Sequence, residues 1–395
     1  MIMKIFKFTF IVLTLLSGHF LFAQDTTISY SNASAENMDQ IILDAGISMV
    51  EKAIEQDKIR SAVILVAKNG KIVMHEARGW KDKDKGLTIA KDAMFRMASN
   101  TKPVVATGVS ILRDEKKIDY QDYVRKHLKS FDNYRAGDIK IHHLLSHTSG
   151  FRIGPIFYKP LIQKSAEHPN APNLRLEVDR FGETGAEVEV GTSYKYSNAG
   201  FNTLGALIET ISGKNLAVYL TENVYQPLGM NDSYHHETKA ALSKKLKRMS
   251  TVYYKRNGEW TIGWQPGKEP QYPFVRASGG MISTAYDYAI FCQMFLNGGV
   301  YNGKRILSEE SVAQMIAPQT KAIYTEEERD TQNYYYGYGW RVMKDGVFRH
   351  SGSDGTAAYI DPANDLIVLF FTQSPGEVNP LADRFFQLTK TSINN

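Results

Sequence analysis

The chain has a single cysteine, Cys292, in 395 residues. No internal disulfide can brace it, so its stability has to come from a large buried core. Cys292 stands among Ala289, Ile290, Phe291, Met294 and Phe295, which is the setting of a buried helix face and not of a reactive thiol. Beyond the first two dozen residues there is no long apolar run, so the mature protein is expected to be soluble, with no stable membrane insertion. Neither charge dominates: 47 Lys and Arg face 42 Asp and Glu, a formal +5. Such a mild excess gives no argument for nucleic acid. The densest basic run, 244–248, reads as a solvated helix face. Internal repeats and low-complexity tracts are absent. His142, His143 and His147 include an i, i+4 pair, but a third ligand and an acidic partner are missing, so no metal site is expected.

The opening residues are unlike the rest. Lys4 and Lys7 precede an apolar stretch at 8–16, and Leu21-Phe22-Ala23 ends in a small residue. A charged start, a short apolar core and a small residue make a secretory signal peptide, expected at 1–23. The chain is therefore expected to be exported, to the periplasm or the medium. Cleavage removes two lysines and no acid, leaving a net charge of +3.

At this length two to three structural units are expected. Residues 24–36 are polar and read as loose. Apolar positions at helical spacing across 38–56 predict a helix. Two β-rich runs at 62–67 and 71–75 flank Asn69-Gly70, a tight-turn pair, and predict a hairpin. Residues 118–265 carry helical patterns, including 199–211 and 216–224, and long loops. Strand signals return from 338 to 372 as an antiparallel meander, and 381–392 reads as a closing helix. The predicted fold is α+β: an antiparallel β-sheet flanked by helices and formed from both chain ends, plus an inserted, mainly helical subdomain. The boundaries are about 38–117 and 266–395 for the first unit and about 118–265 for the second, within one domain at 24–395. The 151–180 loop, with Phe157 and Tyr158, is too long for a connector and is expected to form one wall of a cleft.

Three separated segments carry the chemistry. Ser99-Asn100-Thr101-Lys102 is the only place where a serine stands three residues before a lysine. On a helix these two share a face, so the amine can reach the hydroxyl. Serine needs a base to act as a nucleophile, and lysine becomes one when burial or a nearby cation depresses its pKa. At a helix start the Ser99 N–H also suits an oxyanion. Tyr196-Ser197-Asn198 offers a phenol to relay a proton, its pKa expected to be lowered by the ammonium. Its asparagine would orient Lys102 or a substrate amide. Tyr30-Ser31-Asn32 repeats the letters but falls in the loose start. His350-Ser351-Gly352 lies on a predicted strand where the glycine would let a substrate backbone come close. The Ser353 N–H would pair with that of Ser99 on a developing oxyanion, an interaction of about 3–4 kcal/mol per donor.

Together these segments resemble the serine β-lactamase and penicillin-binding-protein superfamily, in its class C-like branch of D-Ala-D-Ala carboxypeptidases, D-aminopeptidases and esterases. The likeness extends over 40–390 through Leu144-Leu145-Ser146-His147-Thr148-Ser149-Gly150, Ser278-Gly279-Gly280-Met281 and the 336–340 segment. It implies a β-lactamase/transpeptidase-like fold, Ser99 as acylated nucleophile, Lys102 and Tyr196 as the base system, and Asn198 on the substrate amide. His350 stands where β-lactamases proper carry lysine, and a neutral imidazole attracts a substrate carboxylate less than an ammonium. The expectation is thus a cofactor-free serine hydrolase of esters or amides, with a small molecule or peptide as substrate. The alternatives are a true class C-like β-lactamase and a non-catalytic penicillin sensor that stays acylated.

Overall fold

A computed structural model describes residues 27–394 apart from 236–241, 243, 269, 271 and 377. The expected export segment at 1–23 lies outside the described residues. The first helix, α1 (Gln40–Glu55), is capped by Asp39, whose carboxylate accepts the Ile41 N–H at 2.8 Å. It leads into β1 (Ser61–Lys68) and β2 (Lys71–Asp82), joined at Asn69-Gly70 with both residues at positive φ, as a two-residue hairpin requires. Next come α2 (Thr101–Asp114) and α3 (Asn198–Ser212). A hairpin of β3 (Val252–Arg256) and β4 (Glu259–Trp264) is followed by the short β5 (Met281–Ser283) and by α4 (Ala285–Leu296). The C-terminal meander comprises β6 (Tyr334–Tyr336), β7 (Arg341–Met343), β8 (Phe348–Gly352), β9 (Thr356–Asp361) and β10 (Leu366–Phe371). The closing helix is α5 (Val378–Thr391).

The two chain ends meet in one sheet. Its order is Ser29–Tyr30, β2, β1, β10, β9, β8, β7, β6, with Leu87–Thr88 paired beside β2. At the join, β10 runs antiparallel to β1 with Leu366 opposite Lys68 and Phe371 opposite Val63. Both strands are apolar at nearly every position because both faces are covered. Val63, Leu65, Ala67, Ile367, Leu369 and Phe371 point into the larger core with α2, α3 and α4. Ala62, Ile64, Val66, Leu366, Val368 and Phe370 point the other way, onto α1 and α5. Each such side chain stabilises the fold by about 1.5–3 kcal/mol, and a one-residue slip would swap every one of them. Cys292 is fully buried within α4. Trp340 is sealed between Phe291, Phe295 and Phe348, so it serves packing and lines no pocket. No helix among the described residues is long and apolar enough to cross a membrane.

Three local expectations differ from the structure. The start is ordered from residue 27: Ser29 and Tyr30 pair in parallel with Lys71 and Ile72, and the Tyr30 hydroxyl meets His75 Nδ1 at 2.8 Å. Those backbone partners are remote in sequence and carry no local signal. The 252–264 hairpin falls in a region read as helical and looped. Its core side, Val252 and Trp264, closes a separate small cluster with Met94, Leu242, Met249 and Ile282. The basic run at 244–248 is not simply a solvated face, since Lys245 and Arg248 both grip Asp232, at 2.6 and 2.8 Å.

Candidate active site

Ser99 sits in a short 3-10 turn (Ala98–Asn100) immediately before α2, not inside the helix itself. Ala98 adopts φ 45°, uncommon for a residue with a Cβ. The turn is pinned from both sides. Thr101 Oγ1 donates to the Ala98 carbonyl at 2.6 Å and accepts the Met281 N–H at 3.1 Å, while the Met97 N–H reaches the Met281 carbonyl at 2.9 Å. From Thr101 to Leu112 every residue of α2 is buried, so Ser99 is supported by a core helix.

Lys102, in the first turn of that helix, is fully buried. Its Nζ lies 3.0 Å from Ser99 Oγ, 2.8 Å from Asn198 Oδ1 and 2.8 Å from the Ser278 carbonyl oxygen. The Tyr196 ring lies under the amine, 4.6 Å to its centroid. Burial, reinforced by the guanidinium groups of Arg276 and Arg341, holds the Lys102 pKa well below the ordinary ammonium value. A neutral amine here donates to Asn198 and Ser278 and has its lone pair left for the Ser99 proton.

Tyr196 departs from expectation in one respect. Its pKa is raised, not lowered: burial is the main cause, and Ser99 opposes it. Burial outweighs the nearby Arg341 guanidinium, so Tyr196 stays a phenol. Its hydroxyl is sealed from solvent and has Ser99 as its polar neighbour. The loop at 144–150 holds it in place. His147, at φ 61°, accepts the Ser197 N–H on Nδ1 at 3.0 Å and the Lys195 N–H on its carbonyl at 2.9 Å, with its ring 4.4 Å from that of Tyr196.

Asn198 is the first residue of α3, capped by Ser197, whose hydroxyl accepts the Gly200 N–H at 3.1 Å. One turn further, Asn202 Oδ1 accepts the N–H groups of Ala277 and Ser278, at 3.1 and 3.0 Å. Asn202 thus fixes the segment whose carbonyl binds Lys102. Sequence reasoning missed it, although four-residue spacing from Asn198 puts both on one helical face.

The strand side needs two corrections. His350 does not face the cleft. It is buried, with Nε2 3.0 Å from the Tyr336 hydroxyl and Nδ1 3.0 Å from its neighbour's N–H. Burial first, then Arg341 and Lys102, depress its pKa, so it is a neutral support beneath Tyr336. Gly352 is needed for the protein's own backbone: a Cβ there would overlap the Met97 carbonyl oxygen and Thr356 Oγ1. It lets β8 lie against the turn that carries Ser99. Ser353, in the turn that follows, does line the cleft beside Ser99.

Those last two segments are locked together. Arg96 Nε and Asp354 Oδ2 form an ion pair at 3.1 Å, with side chains only 11% and 8% exposed. Gln373 Oε1 accepts the Arg96 N–H at 3.1 Å and its amide donates to the Asp354 carbonyl at 3.0 Å. Asn100 Nδ2 reaches Thr356 Oγ1 at 2.8 Å, and the Tyr254 hydroxyl touches Asp354 at 3.3 Å. The cleft so enclosed has a volume of about 430 Å³, with Phe157, Tyr158, Tyr254 and Tyr272 on its walls and Ser99 and Tyr196 at its base.

The Beta-lactamase family model matches residues 47–390. This chain belongs to the Beta-lactamase family. Protein Rv1367c of Mycobacterium tuberculosis is 26% identical over 369 residues, covering 84% of this chain and 90% of that protein. Two solved structures share the fold. EstCE1, described as a hydrolase with promiscuous acyltransferase activity, superposes with a TM-score of 0.72 at 20% identity, over 92% of this chain and 100% of its own. The D-amino acid amidase of Ochrobactrum anthropi SV3, complexed with L-phenylalanine amide, gives 0.70 at 21% identity, over 89% and 99%. The α+β sheet built from both ends is thus the architecture of this serine hydrolase family.

Proposed function

We propose that this chain is an exported serine hydrolase that cleaves an ester or amide through an acyl-enzyme on Ser99. The observation that carries the reading is the Lys102 amine, wholly buried, depressed in pKa and 3.0 Å from the Ser99 hydroxyl. Lys102 takes the Ser99 proton as Oγ attacks the carbonyl carbon. The oxyanion accepts hydrogen bonds from the Ser99 and Ser353 N–H groups. Tyr196 then passes a proton to the departing alcohol or amine, and its place is refilled from Lys102. Water enters, loses a proton to the same pair, attacks the ester, and Ser99 leaves as the alcohol. Asn198 holds the lysine and faces the substrate. The α/β unit at about 38–117 and 266–395 and the helical unit at about 118–265 then form the two walls of the cleft. Export is supported by the charged and apolar pattern at 1–23.

The test is a chromogenic panel of a short-chain nitrophenyl ester, a D-alanyl anilide and a cephalosporin, with intact-mass measurement over hours. Turnover of the ester or anilide, with a transient adduct absent from Ser99→Ala, is the expected result. Fast opening of the cephalosporin alone would make the chain a β-lactamase. A permanent adduct with every substrate would make it a sensor.

A further inference from the structure

The sequence reading looked for a substrate carboxylate contact at His350, and that residue is buried and neutral. Arg276 lines the catalytic cleft, stacked on Tyr272, and further cationic charge lies beside that cleft. A second cavity, of about 370 Å³, adjoins the catalytic cleft and shares Phe157, Tyr158, Tyr196 and Asn198 with it. Its floor is apolar, from Phe151 and Ile153, and its remaining side chains include Arg152 and Lys195 but no acid. Arg152 donates to its neighbour's carbonyl and to Ser193 Oγ, at 3.2 and 2.9 Å, and meets no carboxylate. Lys195 is exposed and has no ion pair among the described residues. The nearest acids in sequence, Glu187 and Glu189, point into solvent and line neither cavity.

We propose that this cavity is a subsite for an anionic substrate group, a carboxylate at the end of an apolar segment that passes Tyr196. The proposal rests on the hydrolase reading above and names its substrate class. The apolar floor takes the hydrocarbon, and Arg152 and Lys195 supply charge-assisted hydrogen bonds to the carboxylate. Two cations without an acid nearby also disfavour a cationic substrate.

The test has two arms. Ser99→Ala protein is titrated calorimetrically with 4-phenylbutyrate and with 4-phenylbutyramide. The active protein is assayed on nitrophenyl ester pairs that differ by one carboxylate, placed on the acyl chain in one pair and on the leaving group in the other. The acid is expected to bind at least about tenfold tighter than the amide, about 1.4 kcal/mol. One ester pair is expected to show a similar kcat/KM ratio, which identifies the portion that enters. Both preferences collapse toward one in the Arg152→Gln/Lys195→Gln double variant and shrink with salt. Should that variant not fold, Lys195→Gln alone, at an exposed site, is expected to reduce the ratios. Equal binding of acid and amide, a preference that survives the substitutions, or flat ratios in an active enzyme would each overturn the subsite. If no ester is turned over, the hydrolase reading fails while the titration still decides the subsite.

Discussion

Arg96 and Asp354 are joined by a nearly buried ion pair at 3.1 Å, and each stands beside one of the two amide donors expected to cradle the oxyanion. Arg96 leads into the turn of Ser99, and Asp354 follows Ser353 directly. Asp354→Asn removes one charge and leaves the other buried, which costs about 3–5 kcal/mol in comparable pairs. The variant is expected to lose kcat by about tenfold or more while KM moves little, since the donors bind the transition state more than the substrate. Steady-state kinetics on the nitrophenyl ester check this. An unchanged kcat in the folded variant would reduce the pair to a structural tie.

Lys102 gives a pH signature with a definite sign. Its folded-state pKa is depressed while the unfolded value stays near 10.5, so between the two the unfolded chain binds more protons. Stability contributed at this site therefore rises with pH through that window. Lys102→Met abolishes turnover and removes the slope. Urea melts of parent and variant at pH 6 to 10 are expected to show the parent gaining on the variant as pH rises. Parallel curves would mean that Lys102 remains an ammonium in the folded protein.

Tyr196→Phe separates chemistry from packing. The hydroxyl is sealed, with Ser99 as its polar neighbour, so deleting it is expected to change stability by no more than about 1 kcal/mol. Activity is expected to fall by about 10²- to 10⁴-fold, the range of a lost proton relay. A variant that retains full kcat would mean that Lys102 delivers the proton alone.

Gly352→Ala tests the contact between β8 and the nucleophile turn. The added methyl overlaps the Met97 carbonyl oxygen and Thr356 Oγ1, and neither can retreat without moving Ser99 or β9. The variant is expected to lose about 1–3 kcal/mol of stability and most of its activity. Circular dichroism melts and ester assays measure the two effects. Full activity would show that the turn can shift without penalty.

Local chemistry made much of this legible. The Asn69-Gly70 turn, the meander from Val347 to Thr372 and the serine-lysine spacing all act over a few residues and appear where the pattern puts them. The first expected strand, 338–343, is instead cut to Arg341–Met343, and sequence reasoning missed the Tyr334–Tyr336 strand before it. What stayed hidden depends on long-range neighbours. Whether His350 faces solvent or core is decided by Tyr336. The reason for Gly352 is a carbonyl at Met97, and the direction of the Tyr196 shift follows from how completely Tyr196 itself is buried. Asn202 and Gln373 are ordinary polar letters until the backbone groups they bind are known.

Gln373 sits close to the C-terminal helix, yet it spans the gap between Arg96 and Asp354. A chain cut short ahead of it keeps Ser99, Lys102 and Tyr196 but loses the amide that bridges the Arg96 and Asp354 backbones, leaving the ion pair and the Asn100–Thr356 contact to hold the two segments. Full competence for hydrolysis should therefore wait until the segment that follows β10 docks, and a protein lacking it should be a weaker enzyme than the whole chain.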